Sequence, residues 1–174
     1  MAMIGRIGRI VGGGCTLETW RWKFSLAAAT AVAAVVALMV SVHADDIAGI
    51  VATRQATMKT LSADVKVVSD FTEGKADRAA AIAAANHLVT TSKTVPSLFP
   101  PGTGMDALPG KSGAKAEIWT QKREFEADAA SLLTATQALL DTVQAGDPAT
   151  TRERLLAAGK EGCGNCHNAF RVRI

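Results

Sequence analysis

A short run near the carboxyl end combines two cysteines and a histidine at a spacing that can do chemistry. The chain reads GCGNCH over residues 162–167, a C-x-x-C-H sequence, which is the attachment signature of c-type haem. On a helix the thiols of Cys163 and Cys166 project from one face, where they can form thioethers with the two vinyl groups of a porphyrin. His167 is then placed to donate an imidazole nitrogen to the iron.

Three other chemistries compete for this motif. A zinc site needs four ligands, whereas residues 45–174 offer only two cysteines and two histidines, with His87 on a different segment. A thioredoxin-like C-x-x-C belongs at a helix N-terminus after a strand, but this one lies near the end of the last predicted helix. A structural disulfide between Cys163 and Cys166 leaves His167 without a role. The motif therefore predicts covalently attached haem, one per chain.

An export signal precedes this part of the chain. Residues 24–42 form an uncharged run of 19 (FSLAAATAVAAVVALMVSV), with Arg21 and Lys23 before it. The small-x-small pattern of residues 42–44 predicts cleavage after Ala44, so residues 1–44 are interpreted as a signal peptide. An uncleaved transmembrane anchor is the alternative, because 19 apolar residues can just span a bilayer. Residues 45–174 are predicted to be the exported domain.

The charge balance gives no support to a nucleic-acid partner. The chain has 19 basic and 16 acidic residues, and four of the basic and one of the acidic residues precede residue 45. That leaves 15 of each in residues 45–174, so the small positive charge belongs to the leader. Aromatic residues make up only 5% of the chain, tyrosine is absent and alanine is abundant, which favours helices over sheet.

The first two predicted helices lie before residue 96. Apolar side chains recur at spacings of three and four from Ile47 to Val68, and Arg54 and Met58 lie on the same stripe. A second helix is predicted from about Ala76 to Thr94, where Pro96 stops it. Its inward residues are expected to be Ala79, Ile82, Ala83, Asn86 and Val89.

A proline- and glycine-rich loop over residues 96–115 separates these helices from two more. The third helix is predicted from Trp119 to Gly146, and Asp147-Pro148 is a typical cap that opens the fourth. Amphipathic helices of this length bury their stripes together only as a bundle. The fold class is predicted to be all-α, an antiparallel up-down-up-down four-helix bundle with one domain. The inward residues of the third helix are expected to be Phe125, Ala129, Leu132, Thr136, Leu139 and Val143.

Several segments, together with the cysteine motif, resemble the class II cytochromes c, the cytochrome c′ family. They read RQATMK at residues 54–59, LFPPGT at 98–103, EIWT at 117–120 and CGNCHNAFR at 163–171. The resemblance covers essentially all of residues 45–173. It implies an antiparallel four-helix bundle with haem c held covalently at one end, in the periplasm of a bacterium, as an electron carrier or a gas-binding protein.

The same resemblance implies roles for individual residues. High-spin members place a non-coordinating apolar residue on the first helix, whereas low-spin members have methionine followed by lysine, as in Met58-Lys59. A methionine on an inward stripe is also an ordinary core residue, but beside a haem its thioether is a credible axial ligand. By resemblance Arg54 reaches a haem propionate and Arg171 lies beside the proximal imidazole. The alternative for both is a helix arginine with a solvated head.

Together these expectations describe a periplasmic electron carrier, not an enzyme. Its haem iron cycles between Fe(III) and Fe(II), with His167 and Met58 as axial ligands. One alternative is a five-coordinate protein that binds nitric oxide or carbon monoxide, in which Met58 only lines the pocket. Another is a haem-free bundle whose cysteines pair and that serves as a partner protein.

The expected partners are redox proteins, and a membrane is a partner only if the leader stays uncleaved. Family members often dimerise through the first two helices, which makes a homodimer a candidate state, although the alanine-rich faces here show no clear partner surface. Trp119 is expected to pack between the loop and the third helix. Three more residues are interpreted as surface or core positions without a function: Lys59, Asn86 and His87.

Overall fold

The structure, a computed structural model, describes residues 46–174 and folds them into an antiparallel four-helix bundle. No strand occurs among these residues; Ala114 and Arg171 form a single isolated antiparallel bridge. The predicted all-α fold class is therefore confirmed. The helices are α1 (46–72), α2 (Arg78–Ser92), the short α3 (Glu117–Thr120), α4 (Lys122–Ala145), α5 (Pro148–Ala157) and α6 (Asn165–Phe170), with a 3₁₀ turn at Val95–Leu98 and a π-helix at Ala158–Gly164.

The predicted signal peptide over residues 1–44, with its apolar run, lies outside the described residues. The interpretation of residues 1–44 as leader and residues 45–174 as one domain stays a prediction. No helix within residues 46–174 is both long enough and apolar enough to cross a bilayer.

Local signals set most of the helix boundaries. The carboxylate of Asp77 accepts a hydrogen bond from the Ala80 N–H at 2.7 Å, which caps α2. Helix α4 ends at Gly146, whose φ of 76° is the left-handed conformation that favours glycine at a helix end. The Asp147 side chain then caps α5, and proline in the first turn needs no N–H donor there. The predicted end of the third helix and start of the fourth are confirmed.

The middle of the bundle is packed by side chains from α1, α2 and α4. The expected inward face of α4 is confirmed: five of its six residues are buried and Leu132 is half-buried. The expected face of α2 is wrong at Ala79, Ala83 and Asn86, which are exposed. Alanines on every side of this helix give its apolar pattern too little contrast to select a face. The residues of α2 that are buried are Ala81, Ala84, Ala85, Leu88, Val89 and Ser92.

Two predicted helices are interrupted where they approach the end of the bundle that carries the cysteine motif. The third begins as α3, breaks at Gln121 (φ −115°, ψ 47°), and continues as α4. The fourth widens into the π-helix between α5 and α6. Glycines at 159, 162 and 164 weaken the α-helical preference of that stretch, and π-segments occur frequently at functional sites.

Candidate functional site

A cavity of about 450 Å³ opens at this end of the bundle, between α1, the loop after α2 and the carboxyl end of the chain. Helix α1 contributes Met58 and Arg54, and α6 contributes Cys166 and His167, with Arg171 directly after it. Five of the six predicted site residues therefore line one cavity. The sixth, Cys163, is half-buried one helical turn before Cys166 and does not line the cavity itself.

Apolar and aromatic side chains form most of the cavity wall. Phe99 and Phe125 meet edge to face with ring centroids 5.1 Å apart, and Phe125 and Phe170 do so at 5.4 Å. Val51, Val95 and Ile118 extend the apolar wall. A flat apolar macrocycle suits this lining, and a thiol and an imidazole reach it from the same helix. The residues present therefore fit a covalently attached haem.

Both cysteines of the motif are free thiols and half-buried. Burial raises the pKa of the Cys163 thiol, and burial with smaller contributions from Asp128 and Cys163 raises the pKa of Cys166 to about 11. Both sulfurs are therefore protonated at neutral pH. Since the thiolate is the reactive form in oxidation, burial in this fold makes both thiols less reactive.

The His167 imidazole is suited to bind a metal through a nitrogen lone pair. Burial lowers its pKa below the usual range, and the positive charge of Arg171 lowers it further. The imidazole is neutral at pH 7, which is the form that serves as a metal ligand. Within residues 46–174 no three histidine, cysteine, aspartate or glutamate side chains come together, so the zinc alternative lacks its ligand set there.

The π-helix holds the cysteine motif close against α4. A Cβ added at Gly162 would lie 3.0 Å from Cδ1 of Leu132 and 3.2 Å from Leu132 Cα, whereas one added at Gly159 would meet nothing within 4 Å. Because the Leu132 backbone cannot move aside easily, Gly162→Ala is expected to lower the free energy of unfolding by about 1–2 kcal/mol. Gly159→Ala is the matched control and is expected to be neutral or about 0.5 kcal/mol stabilising.

Urea unfolding of the two variants and the wild type measures this difference. Equal midpoints for the two variants would show that the close approach of Gly162 to α4 has no energetic importance.

Arg54 is buried and holds the loop that forms one wall of the cavity. Its Nε donates to the Leu98 carbonyl at 2.9 Å, and its Nη1 and Nη2 donate to the carbonyl and hydroxyl of Thr103 at 3.0 and 2.6 Å. The guanidinium also lies 4.2 Å from the ring centroid of Phe99. Burial lowers its pKa to about 10, so it stays charged at neutral pH. This loop-holding role was missed, and the propionate role stays a prediction.

Trp119 also fixes this loop. Its indole Nε1 donates to the Phe99 carbonyl at 3.1 Å, and its ring lies so close to Gly104 that a Cβ there would be 2.8 Å from Cζ3. The expected packing role of Trp119 between loop and helix is confirmed.

His87 is exposed and pairs with Asp64 at 2.5 Å, in line with its interpretation as a surface residue.

A contact between the loop and the last residues of the chain is also absent from the sequence-based expectations. The Val172 N–H donates to the Gly113 carbonyl at 2.8 Å, and the Lys115 N–H donates to the Phe170 carbonyl at 3.0 Å. A Cβ on Gly113 would lie 2.3 Å from the Val172 oxygen, so only glycine fits this approach. Lys59, to which no function was assigned, lines the same cavity.

Comparison with known proteins supports the resemblance seen in the sequence. The family model described as cytochrome C′ matches residues 49–171. A cytochrome c′ from Pararhodospirillum photometricum is 39% identical over 66% of this chain and 83% of its own length. A cytochrome c-556 from Agrobacterium tumefaciens is 29% identical over 72% of this chain and 99% of its own.

A solved structure agrees with these relatives. The cytochrome c′ from Rhodobacter sphaeroides superposes with a TM-score of 0.61 at 33% identity, covering 74% of this chain and 98% of that one. The family model alone accounts for more than half of the chain, and its matched range contains Met58, both motif cysteines and His167. The chain therefore belongs to the cytochrome c′ family.

Proposed function

We propose that this protein is an exported electron carrier that holds one haem c through Cys163 and Cys166, with His167 and Met58 as axial ligands. It belongs to a family of haem proteins, and its relatives include a cytochrome c-556 as well as cytochromes c′. The observation that carries the proposal is that a thioether from α1 and an imidazole from α6 line the same apolar cavity.

When bound, haem supplies a one-electron couple between Fe(III) and Fe(II). The chain's own residues determine how that couple is used. The neutral imidazole of His167 and the soft sulfur of Met58 are the donor pair that favours ferrous iron. The aromatic wall formed by Phe99, Phe125 and Phe170 supplies an apolar surface against which the macrocycle would pack. With both donors engaged no position is left for a substrate, which supports a carrier instead of an enzyme.

The predicted export signal supports a periplasmic location. The apolar run at residues 24–42 and the cleavage pattern at residues 42–44 are typical of a secretory signal. Covalent attachment requires reduced thiols at Cys163 and Cys166 of the exported apoprotein, and the raised pKa of each thiol keeps it protonated.

Redox proteins are the proposed partners of this electron carrier.

An absorption spectrum of the purified holoprotein tests the ligand set. Imidazole with thioether is a strong-field pair, so the ferric form is expected to be low-spin with a sulfur-to-iron charge-transfer band. A high-spin ferric spectrum, with carbon monoxide binding readily to the ferrous form, would contradict this assignment. That result would favour the five-coordinate alternative that binds nitric oxide or carbon monoxide.

A further inference from the structure

The lining of the cavity is strongly asymmetric in charge. It contains four basic residues, Arg54, Lys59, Arg171 and Arg173, and no aspartate or glutamate. Residues 45–174 as a whole have as many acidic as basic residues. The excess of positive charge is therefore a local property of this end of the bundle.

Two lysines extend this charge around the cavity mouth. Lys111 and Lys115 flank the lining residues 112–114, and the Lys111 carbonyl accepts a hydrogen bond at 2.7 Å from Gln55, which also lines the cavity. We define the basic rim as the exposed or half-buried cations at this mouth: Lys59, Lys111, Lys115, Arg171 and Arg173.

Within residues 46–174 none of these cations forms an ion pair with a carboxylate side chain. Arg54 is buried and already donates to Leu98 and Thr103, so it adds charge beneath the basic rim without being exposed. The two propionates of a haem offset at most two of the six positive charges. The mouth therefore stays positive when the cofactor is in place.

Apolar side chains lie exposed within the same surface. Val172 is 38% exposed and Ile174 is 67% exposed, and both line the cavity. The Val172 N–H donates a hydrogen bond to the Gly113 carbonyl, and Arg171 forms an isolated antiparallel β-bridge with Ala114. Residues 171 and 172 are therefore attached to the loop. Apolar residues set among arginines, with no carboxylate between them, are typical of a protein interface.

We propose that the basic rim with Val172 and Ile174 is the docking surface for an acidic face of a redox partner protein. This rests on the proposed electron-transfer function, because a partner must approach the cavity mouth to exchange an electron. Five cations at the mouth of a cavity that two exposed apolar side chains also line suit a protein face of opposite charge. Opposite charges would also steer the encounter and raise its rate.

Reaction rates with small redox reagents of opposite charge test the surface electrostatics. At low ionic strength, Lys111→Glu/Arg173→Glu in the holoprotein is expected to slow oxidation by ferricyanide about tenfold and to speed exchange with hexaammineruthenium. Lys75→Glu/Arg152→Glu is the matched control, since it changes the total charge equally at the opposite end of the bundle. The control is expected to change either rate less than about twofold. Equal effects of the two double variants would contradict the proposal.

Binding of a six-residue glutamate peptide, mapped by amide shifts of the labelled holoprotein, tests docking without electron transfer. We expect shifts at residues 111–115 and 171–174, and binding weakened about fivefold or more in Lys111→Glu/Arg173→Glu. Shifts elsewhere, or sedimentation with anionic phosphatidylglycerol vesicles without peptide binding, would overturn the proposal, the latter in favour of a lipid surface. Peptide binding at the basic rim without electron exchange with either reagent would refute the proposed function alone.

Discussion

Cys163→Ala/Cys166→Ala is expected to abolish covalent haem attachment completely. Each thioether needs a cysteine sulfur, and residues 46–174 contain no other cysteine. A haem stain of a denaturing gel measures this result directly, because only covalently held haem stays with the unfolded chain. Cys15→Ala is the control, since Cys15 lies far before the motif in the sequence, and it is expected to leave the stain unchanged.

The same double variant is expected to be less stable than the wild-type holoprotein. Without a ligand, the apolar wall around Phe99, Phe125 and Phe170 surrounds a cavity of about 450 Å³. Haem buries this apolar wall only when the chain is folded, so its loss is expected to cost several kcal/mol of unfolding free energy. Urea unfolding measures this loss of stability.

The outcome that would contradict the attachment prediction is haem that migrates with the denatured double variant. That result would show that other residues attach the haem.

The features of the fold that were predicted correctly depend on local signals. Gly146 ends α4 and Asp147-Pro148 begin α5 through their own backbone or side chains, so a few neighbouring residues are enough to predict both boundaries. The buried face of α2 was predicted incorrectly because Ala79 and Ala83 look as apolar as Ala81 and Ala84, and packing against α4 selects between them. The π-helix has no local signature beyond its glycines, so it too could not be predicted.

A similar division holds for the site. The spacing of Cys163, Cys166 and His167 is a local motif, so the sequence contains it in full. The hydrogen bonds of Arg54 join residues 44 and 49 positions apart, and only the folded chain brings them together. The basic rim is non-local in the same way, since it combines α1, the loop and the last residues of the chain. No local sequence pattern predicts such a surface.

Met58→Ala is expected to convert the protein from low-spin to high-spin. If the Met58 sulfur binds iron opposite His167, its removal opens the distal side, where water or a gas can then bind. Carbon monoxide is expected to bind readily to the ferrous variant, and the reduction potential is expected to fall because the ferrous-favouring thioether is gone. Absorption spectra, carbon monoxide titration and a redox titration measure the three effects.

The result separates coordination from packing. Met58 is half-buried, so as a packing residue alone its truncation would cost about 1–3 kcal/mol of unfolding free energy and leave the spin state as it was. Met105→Ala is the matched control, since Met105 lies in the loop, is 37% exposed and does not line the cavity. A low-spin spectrum retained in Met58→Ala would assign the sixth ligand to another residue, whereas a change confined to Met58→Ala identifies its sulfur as the ligand.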